Sequence, residues 1–417
     1  MEKLFVPGDI LLPKNADPVL WSVIACDQYT SQPEYWADVD RRVGDNPSTL
    51  RMILPEAYLA THDADAERDK INATMHRYLE EGIFRTVENS FIYCERELTI
   101  GQTRHGLLGL IDLEAYDYRA DSSSPVRATE KTVESRLPPR VQIRLQAALE
   151  LPHIVVFIDD PENTVLGNVG QGETLYDFEL MDGGGHIRGM RVTGADAERI
   201  EAALAALADP DYLEKRYQLN GRPPVVIAMG DGNHSLATAR LCWERIRDKL
   251  TPEQRENHPA RFALAELVNI HDASVTFEPI HRVVFDTQAD AFFDEAKEYF
   301  SRSGGSEETS HELRFTCAGR TETITVNGLT IGRLIDTAQH FCERYVAVHG
   351  GRLDYIHGDD TVFEMTAKPG CAGVLLPVFD KSELFPSVIR SGVFPAKSFS
   401  IGPSRDKRYY LECRKIQ

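Results

Sequence analysis

The sequence lacks the features that define disulfide-stabilised, zinc-binding and membrane proteins. Its seven cysteines are scattered, with no CxxC pair and no closely spaced framework, so we expect reduced thiols. No stretch approaches the roughly 18 uncharged apolar residues that a membrane span needs. The N-terminal segment MEKLFVPGDILLPKNADP has no long apolar core of the kind found in secretory signals. We therefore expect a cytoplasmic protein without a membrane partner.

Positive charge is also scarce. Lys and Arg number 46 against 65 Asp and Glu, which gives a formal net charge of −19. A surface of this sign repels nucleic-acid backbones, and no basic helix or tail offsets it, so we expect no nucleic-acid partner. A local positive pocket remains compatible with this charge, because a few residues are enough to form one.

The composition is that of a folded protein of mixed secondary structure. The chain has 417 residues, 42% of them hydrophobic, and exceeds the size at which one hydrophobic core stops growing. Helical and strand patterns alternate without a strict βαβ order, which predicts an α+β fold of mixed sheets with flanking helices. We predict one continuous region over 1–417 with two approximate lobes, 1–275 and 276–417.

The strongest local motif is the segment Gly230-Asp231-Gly232-Asn233-His234. It lies between an apolar run that predicts a strand and an apolar stripe that predicts a helix. Glycines let backbone N–H groups approach a ligand, and the start of a helix attracts anions, above all phosphate. His234 could donate to a phosphate, and Asp231 could hold Mg²⁺ or accept a hydroxyl proton. The alternative is a plain connection in which Asn233 caps the helix.

An arginine-rich stretch precedes this motif. Arg127, Arg136 and Arg140 could form the cationic wall of a phosphate pocket, with Glu130 as a base or Mg²⁺ ligand. The alternative is that these are surface arginines, paired with Glu130, Glu134 and other nearby acids.

Two further groups are candidates for substrate contact. Asp27 and Gln28 follow an apolar run and could position a small polar substrate, although Asp27 could instead cap a helix over 33–39. His281 and Arg282 could supply a metal ligand, a base or a phosphate contact, although a lone histidine is more often structural. Lys397 could be a point charge for phosphate or a solvated loop lysine.

Several long segments of the chain resemble a known family. The run MGDGNHSLATA resembles the Asp-Gly-His-His-Arg-type turn of the DUF1015 family, which is itself similar to the phosphate-binding turn of the ParB/sulfiredoxin superfamily. The other matching strings are WSVIACDQYTSQPEYW, GDNPSTLRMILPEAY, RATEKTVESRLPPR and PAKSFSIGPSRDKRYYLECRKI. The chain is therefore identified as a member of the DUF1015 family over nearly its whole length.

The resemblance implies a ParB/sulfiredoxin-like core with additional C-terminal α+β elements. In the superfamily, including the ParB-like free serine kinases, this turn contacts nucleotide phosphates, which implies ATP or ADP as a ligand. The family strings also place Ser235 and the candidate residues His281, Arg282 and Lys397 within matching segments. The chain departs from the pattern where Asn233 replaces a histidine and Ser235 an arginine, which removes a bidentate phosphate contact. The arginine-rich stretch supplies Arg127, Arg136, Arg140 and Arg144 as candidates to compensate.

These observations predict an enzyme of phosphoryl transfer acting on a small hydroxylated metabolite. Mg²⁺ is a plausible helper, and the resemblance implies a substrate of the serine or phosphoserine class and a role in serine metabolism. Kinase and phosphatase directions remain open. The alternatives are a non-catalytic sensor of a phosphometabolite or nucleotide, and a ParB-like nucleic-acid-binding protein, which the charge disfavours.

Overall fold

The computed structural model describes residues 3–59, 61–170, 172–287, 291–378 and 380–417. Within these residues the strands are β1 (Phe5–Val6), β2 (Gly8–Pro13), β3 (Val23–Ile24), β4 (Phe84–Glu97), β5 (Thr103–Asp112), β6 (Tyr116–Asp117), β7 (Val126–Arg127), β8 (Leu149–Glu150), β9 (Val155–Ile158), β10 (Thr174–Glu179), β11 (His186–Val192), β12 (Ile227–Asp231), β13 (Phe262–Asn269), β14 (Phe277–Phe285), β15 (Ser310–Cys317), β16 (Arg320–Asn327), β17 (Arg352–His357), β18 (Ala372–Leu375), β19 (Phe399–Ile401), β20 (Tyr409–Tyr410) and β21 (Arg414–Lys415).

Helices of varied length connect and cover these strands. The α-helices of the described residues are α1 (Pro18–Trp21), α2 (Pro33–Val43), α3 (Ala64–Glu80), α4 (Leu137–Leu145), α5 (Gly194–Leu207), α6 (Pro210–Tyr217), α7 (Asn233–Arg247), α8 (Pro252–Asn257), α9 (Phe292–Ser301), α10 (Ile331–His349), α11 (Asp359–Thr366) and α12 (Leu384–Ser391). Short 3₁₀ turns lie at Thr49–Met52, Glu56–Tyr58, Leu113–Ala115, Glu134–Arg136, Met181–Gly183, Pro259–Arg261, Lys381–Glu383 and Ser404–Asp406. No helix among the described residues is both long and apolar enough to cross a bilayer.

The larger sheet mixes parallel and antiparallel strands. Its order is β10-β11-β4-β5-β13-β9-β12-β7-β6, with β1 beside β5 and β2 beside β4. The β13–β9, β12–β7 and β7–β6 pairs are parallel, whereas β12–β9 and the other pairs of this sheet are antiparallel. Together with the helices on its faces, this sheet confirms the predicted α+β class of mixed sheets with flanking helices.

A second sheet follows in the chain. Its order is β16-β15-β18-β14-β17, with β19 beside β14. Helices α9 and α10 cover it through an aromatic cluster in which the rings of Phe292, Phe315 and Phe341 lie 5.7–6.0 Å apart. The chain passes from the larger sheet to this one between β13 and β14, and the lobe boundary at 275 stays a prediction.

The C-terminal segment pairs with elements from the first half of the chain. Strand β20 pairs with β3, strand β21 pairs with β8, and Leu11 bridges Cys413. The buried indole N–H of Trp21 donates to the carbonyl of Leu411 at 2.9 Å. The last residues of the chain are therefore held against elements formed by its first half.

The position of β12 explains where the site forms. This apolar strand lies between β9 and β7, and its register against β9 shifts between Met229 and Asp231, as in a β-bulge. Helix α7 follows and buries the apolar stripe that includes Leu236 and Trp243. The predicted helix therefore exists, and the Gly230–His234 turn lies where β12 leaves the sheet.

Candidate anion-binding site

A cavity of about 830 Å³ lies at the end of β12. Its lining comes from both sheets and from the C-terminal segment, which makes it a meeting place of distant parts of the chain. The residues that line it are Cys26, Asp27, Gln28, Thr30, Glu56, Thr129, Glu130, Lys131, Val133, Arg136, Arg140, His153, Met229, Gly230, Asp231, Gly232, Asn233, His234, Ser235, Ile280, Tyr355, His357, Ala396, Lys397, Phe399, Ser400, Ile401, Ser404 and Lys407.

Most of the residues predicted from sequence meet at this cavity. Those that line it are Asp27, Gln28, Glu130, Arg136, Arg140, Gly230, Asp231, Gly232, Asn233, His234, Ser235 and Lys397. Arg127, His281 and Arg282 are not part of the lining.

Both glycines of the turn are required by close contacts with β9 and the residues before it. Gly232 has a positive φ of 78°, and a Cβ there would lie 3.0 Å from the Cα of Ile154. A Cβ at Gly230 would lie 2.7 Å from the ring of Phe157. Any side chain at either position would therefore displace the turn from the sheet.

The first turn of α7 has open backbone donors. The helix begins after Gly232, which has no side chain to cap it. The N–H groups of Ser235 and Leu236 donate to the carbonyl of Gly232 at 3.0 and 3.1 Å. Among the described residues, the N–H groups of Asn233 and His234 have no acceptor, as is usual for the first residues of an uncapped helix. These donors, with the positive end of the helix dipole, are suited to an anion.

The alternative in which Asn233 caps α7 is wrong, because its amide is engaged elsewhere. Its Nδ2 donates to the carbonyl of Glu130 at 3.1 Å and to Oγ1 of Thr132 at 2.9 Å. The hydroxyl of Tyr116 donates to its Oδ1 at 3.3 Å. Asn233 therefore fixes the Glu130 segment against the turn.

Glu130 is a partly buried carboxylate without a cationic partner in ion-pair contact among the described residues. Its Oε1 accepts from the N–H groups of Ser398 at 2.9 Å and Phe399 at 3.4 Å. Burial raises the pKa of Glu130 to about 7, because these N–H groups offset the cost of desolvation only in part. Glu130 can therefore exchange a proton near neutral pH, as a general base must.

His234 is a neutral donor at neutral pH. Burial, followed by the charges of Arg140 and Arg136, lowers the pKa of His234 to about 4. Its Nε2 accepts from the N–H of Val133 at 3.3 Å, which places the ring proton on Nδ1. The ring can thus donate one hydrogen bond from Nδ1 without carrying a charge.

The two arginines of the lining differ in their engagement. Arg140 pairs with Glu56 and donates to the carbonyl of Arg136 at 2.7 Å. The exposed side chain of Arg136 has no acceptor in the described part of the chain. Neither pairs with Glu130 or Glu134, so the predicted pairing of these arginines with their sequence neighbours is absent at both positions.

Asp231 is not a free carboxylate. Its Oδ2 lies 3.0 Å from Nζ of Lys407, and its Oδ1 accepts from the N–H of Gly232 at 2.9 Å. Burial raises the pKa of Asp231, but Lys407 and His153 more than offset this effect and hold the pKa below its usual value. Lys407 was not predicted, since only tertiary structure joins it to the turn.

Asp27 and Gln28 also line the cavity. Asp27 does not cap α2, which begins after Gln32 without a side-chain cap, so that alternative is wrong. Its Oδ1 accepts from Gln28 at 3.1 Å, and its Oδ2 lies 3.7 Å from Nε2 of His153. Among the described carboxylates of the lining, Asp231 and Glu56 are paired with cations and Oε1 of Glu130 accepts from backbone N–H groups, so Asp27 is the one most available to a cation.

His153 was also missed by sequence reasoning. Its Nδ1 lies 2.9 Å from the hydroxyl of Tyr410, which donates to Sγ of Cys26 at 3.0 Å. Its apolar surroundings in the sequence, HIVVFI, indicate a strand and give no sign of a site.

The three predicted residues outside the lining have internal partners. Arg127 is buried and donates to the carbonyls of Ser124, Pro223 and Pro224. His281 is buried, with Nε2 2.8 Å from Asp359, and its Nδ1 accepts from the N–H of Leu376.

Arg282 is not in the lining but contacts Lys397, which is. It is fully buried and donates to Gln339, to the carbonyl of Ile280 and, at 3.1 Å, to the carbonyl of Lys397. Lys397 has a positive φ of 59°, and its Nζ lies 4.8 Å from the ring centroid of Tyr355. Arg282 therefore supports the loop that binds the carboxylate of Glu130.

The described part of the cavity offers few carboxylates that could bind a magnesium ion. In the part of the chain that the structure describes, no group of three or more His, Cys, Asp or Glu side chains is arranged to hold a metal ion. Mg²⁺ commonly uses one or two carboxylates together with substrate phosphates. Of the two predicted ligands, Asp231 is paired with Lys407, and Oε1 of Glu130 accepts from the N–H groups of Ser398 and Phe399. Glu56 is paired with Arg140, so Asp27 is the carboxylate that can best supply a ligand.

Comparison with solved structures finds similar chains at low identity. SbnI with a C-terminal truncation from Staphylococcus aureus is 9% identical, with a TM-score of 0.36, and covers 71% of this chain and 82% of its own. A mutant free serine kinase in complex with AMP is 10% identical, with a TM-score of 0.36, covering 74% and 90%. A conserved hypothetical protein from Pyrococcus furiosus is 10% identical, with a TM-score of 0.32, covering 74% and 94%.

TM-scores at this level support no transfer of ligand or activity from those proteins. The comparison with curated proteins finds no match. The model of the family described as "Protein of unknown function (DUF1015)" matches residues 9–342, most of the chain and all of the β12–α7 turn. The chain belongs to the DUF1015 family.

Proposed function

We propose that the cavity binds the phosphate of a small metabolite or nucleotide at the start of α7, and that the protein transfers a phosphoryl group there. One observation carries this proposal. The uncapped helix offers the N–H groups of Asn233 and His234 to a cavity that also contains Arg136, a guanidinium without a protein acceptor among the described residues. Backbone donors, a helix dipole and a guanidinium are together suited to phosphate oxygens.

The neutral ring of His234 strengthens this anion site. Its Nδ1–H can donate to a phosphate oxygen, because its Nε2 is occupied by the N–H of Val133. A bound anion would raise the pKa of His234 from its low value of about 4. The anion should therefore bind the protein more tightly as the pH falls.

Glu130 supplies the general base. In the forward step, the oxygen of a substrate hydroxyl bonds to phosphorus while its proton passes to the carboxylate of Glu130. The bond from phosphorus to the leaving oxygen breaks, and the electron pair stays on that oxygen. A carboxyl group with a pKa of about 7 is partly ionised at neutral pH and can take this proton. Arg136 and the N–H groups of α7 stabilise the charge on the transferred group.

The cofactors in this proposal are ATP or ADP as the phosphoryl donor or acceptor, and Mg²⁺. Asp27 would hold the metal ion, which neutralises phosphate charge. The volume of about 830 Å³ lies in the range of small-molecule sites. For the hydroxylated substrate we propose serine or phosphoserine, the class that the resemblance implies.

The proposal is tested by incubating the purified protein with Mg²⁺ and O-phosphoserine, and separately with serine plus ATP or ADP. Phosphorus NMR should show release or transfer of phosphate. Glu130→Gln should lower the rate at least about 100-fold, because it cannot accept a proton. Glu134→Gln, at an exposed position nearby, is the control and should keep the wild-type rate.

Three other outcomes are informative. No turnover with any of these substrates contradicts the proposed enzyme. Phosphate or nucleotide binding without turnover supports the sensor hypothesis, in which His234→Ala and Asp231→Ala change binding alone. A gel shift at physiological ionic strength that weakens with salt would support the nucleic-acid alternative.

A further inference from the structure

The C-terminal segment Ser404–Lys407 contributes a cation directly to the turn. We infer that Lys407 makes the acidic turn able to accept an anion, by neutralising Asp231 and by donating to the bound anion itself. This inference rests on the proposed function, since it concerns the same cavity.

The need for such a cation follows from the position of Asp231. In the sequence only Gly232 separates Asp231 from Asn233 and His234, whose N–H groups are open, and an unpaired carboxylate there would repel an incoming phosphate. Nζ of Lys407 lies 3.0 Å from Oδ2 of Asp231, and both side chains line the cavity. An ammonium group has three donors, so the contact with Asp231 leaves others for a ligand.

The other arginines and lysines do not neutralise Asp231: among the described residues Arg136 lines the cavity without an acceptor and forms no ion pair with that carboxylate. Arg140 pairs with Glu56, and Arg127 donates to three carbonyls away from the lining. The Nζ of Lys397 lies over the ring of Tyr355. In the described chain Lys407 is the cation that is paired within the turn. It thus supplies the positive charge that the turn lacks because position 235 is a serine and not an arginine.

The segment that carries Lys407 is fixed by a buried arginine. Arg96 is 1% exposed, and its guanidinium donates to the carbonyls of Arg405 at 2.8 Å, Asp406 at 3.3 Å and Lys407 at 2.6 Å. The carboxylate of Asp406 accepts from the N–H and hydroxyl of Thr99 at 2.8 and 2.9 Å. Arg96 is therefore a positioning residue, which holds the backbone so that the ammonium of Lys407 meets Asp231.

The test is a double-mutant cycle on the binding of inorganic phosphate, measured by titration calorimetry. Lys407→Met should weaken binding by roughly 10- to 100-fold, the effect of losing a charge-assisted hydrogen bond and exposing Asp231. Asp231→Asn should bind more tightly than the wild type. Lys368→Met, at an exposed lysine outside the cavity, is the matched control and should bind like the wild type.

The double variant Asp231→Asn/Lys407→Met separates the two roles of the lysine. It leaves no unpaired charge in the turn, so it keeps the test valid if Lys407→Met does not fold. Weaker binding by the double variant than by Asp231→Asn supports direct donation by Lys407. Equal binding by these two overturns direct donation by Lys407, and wild-type affinity of Lys407→Met overturns the inference as a whole. If the wild type binds no phosphate, the proposed function itself is overturned, and the role of Lys407 with it.

The role of Arg96 is tested through Lys407. Arg96→Lys should weaken phosphate binding in the wild-type background but have little effect in Lys407→Met, because the lost positioning acts through that lysine. An equal loss in both backgrounds contradicts the positioning role. If Arg96→Lys does not fold, Thr99→Val, which removes one hydrogen bond to Asp406, replaces it in the same comparison.

Discussion

Two clusters of charged side chains meet at the C-terminal segment, and they differ in how their charges are balanced. In the first, Glu266 is 1% exposed and lies 2.5 Å from Arg408 and 3.1 Å from Arg104. Arg408 also pairs with the buried carboxylate of Glu412. In the second, the candidate anion site, Glu130 has no ion pair in the described chain and neither has Arg136.

The pKa values of two glutamates show what this difference means. Burial raises the pKa of Glu266, but Arg104 and Arg408 more than offset it and hold the pKa below its usual value. Burial also raises the pKa of Glu130, and the backbone N–H groups, together with the charge of Arg282, which forms no ion pair with it in the described chain, offset this only in part, so the pKa remains at about 7. In a cluster that balances its own charges, removal of one partner leaves a buried charge uncompensated and destabilises the fold, whereas unbalanced charges on a cavity are available to a ligand.

The largest expected effect comes from breaking the balanced cluster. Glu266→Gln leaves Arg408 and Arg104 without this carboxylate in a buried place, which should lower the free energy of unfolding by about 3–5 kcal/mol. Urea unfolding at pH 7 measures this loss. Because the folded-state pKa is lowered, the stabilisation by Glu266 is present above the unfolded pKa of about 4.3 and is lost as pH falls through the folded pKa.

The matched control for this change is Glu97→Gln. Glu97 is exposed and has no ion pair within the described residues, so the free energy of unfolding should change by less than about 0.5 kcal/mol. A loss as small as this for Glu266→Gln would contradict the structural role assigned to the balanced cluster.

The contribution of Glu130 to stability should depend on pH in the opposite direction. Its folded pKa of about 7 lies above the unfolded value of about 4.3, so its contribution to stability is fully present below pH 4.3 and is lost as pH rises to 7. Glu130→Gln cannot ionise and should be more stable than the wild type at pH 8, on the order of 3 kcal/mol, with little difference at pH 4.

Thermal or urea unfolding across this pH range checks the effect, with Glu134→Gln as the control that keeps the wild-type profile. If Glu130→Gln followed the wild-type profile too, Glu130 would not be the carboxyl group with the raised pKa, and its assignment as the base would lose its physical support.

The sequence could predict the parts of the site that local patterns determine. The glycines, the apolar strand before them and the amphipathic helix after them lie within one short segment, so the β12–α7 turn was predicted closely. The arginine stretch and the Asp27 segment were singled out by their own residues, the first by clustered arginines in an acidic chain and the second by polar residues after an apolar run, and both also lie in strings that resemble the family. The α+β class followed from the mixture of helical and strand periodicities.

Tertiary contacts account for what could not be predicted. The amide of Asn233 finds partners in Thr132 and the Glu130 backbone, so it does not cap its own helix. Arg282 lies in the buried strand β14 and donates to the carbonyls of Ile280 in that strand and of Lys397 in the loop before β19. Lys407 and His153 reach the cavity only because the C-terminal segment and β9 pack beside the turn, and no periodic or motif signal in one sequence reports such long-range pairing.

The smallest expected effect on stability is that of replacing Arg136, the unpaired guanidinium of the candidate anion site. Arg136→Met should leave the free energy of unfolding within about 0.5 kcal/mol of the wild type, because the exposed side chain has no protein acceptor among the described residues. The affinity for inorganic phosphate should fall about tenfold, since a charge-assisted hydrogen bond is lost. Arg245→Met, at an exposed position on α7 outside the cavity, should change neither quantity. For the balanced cluster around Glu266 we expect the reverse, a large loss of stability without an effect on phosphate binding. If Arg136→Met were less stable but bound phosphate like the wild type, Arg136 would support the fold and would not be part of the proposed anion site.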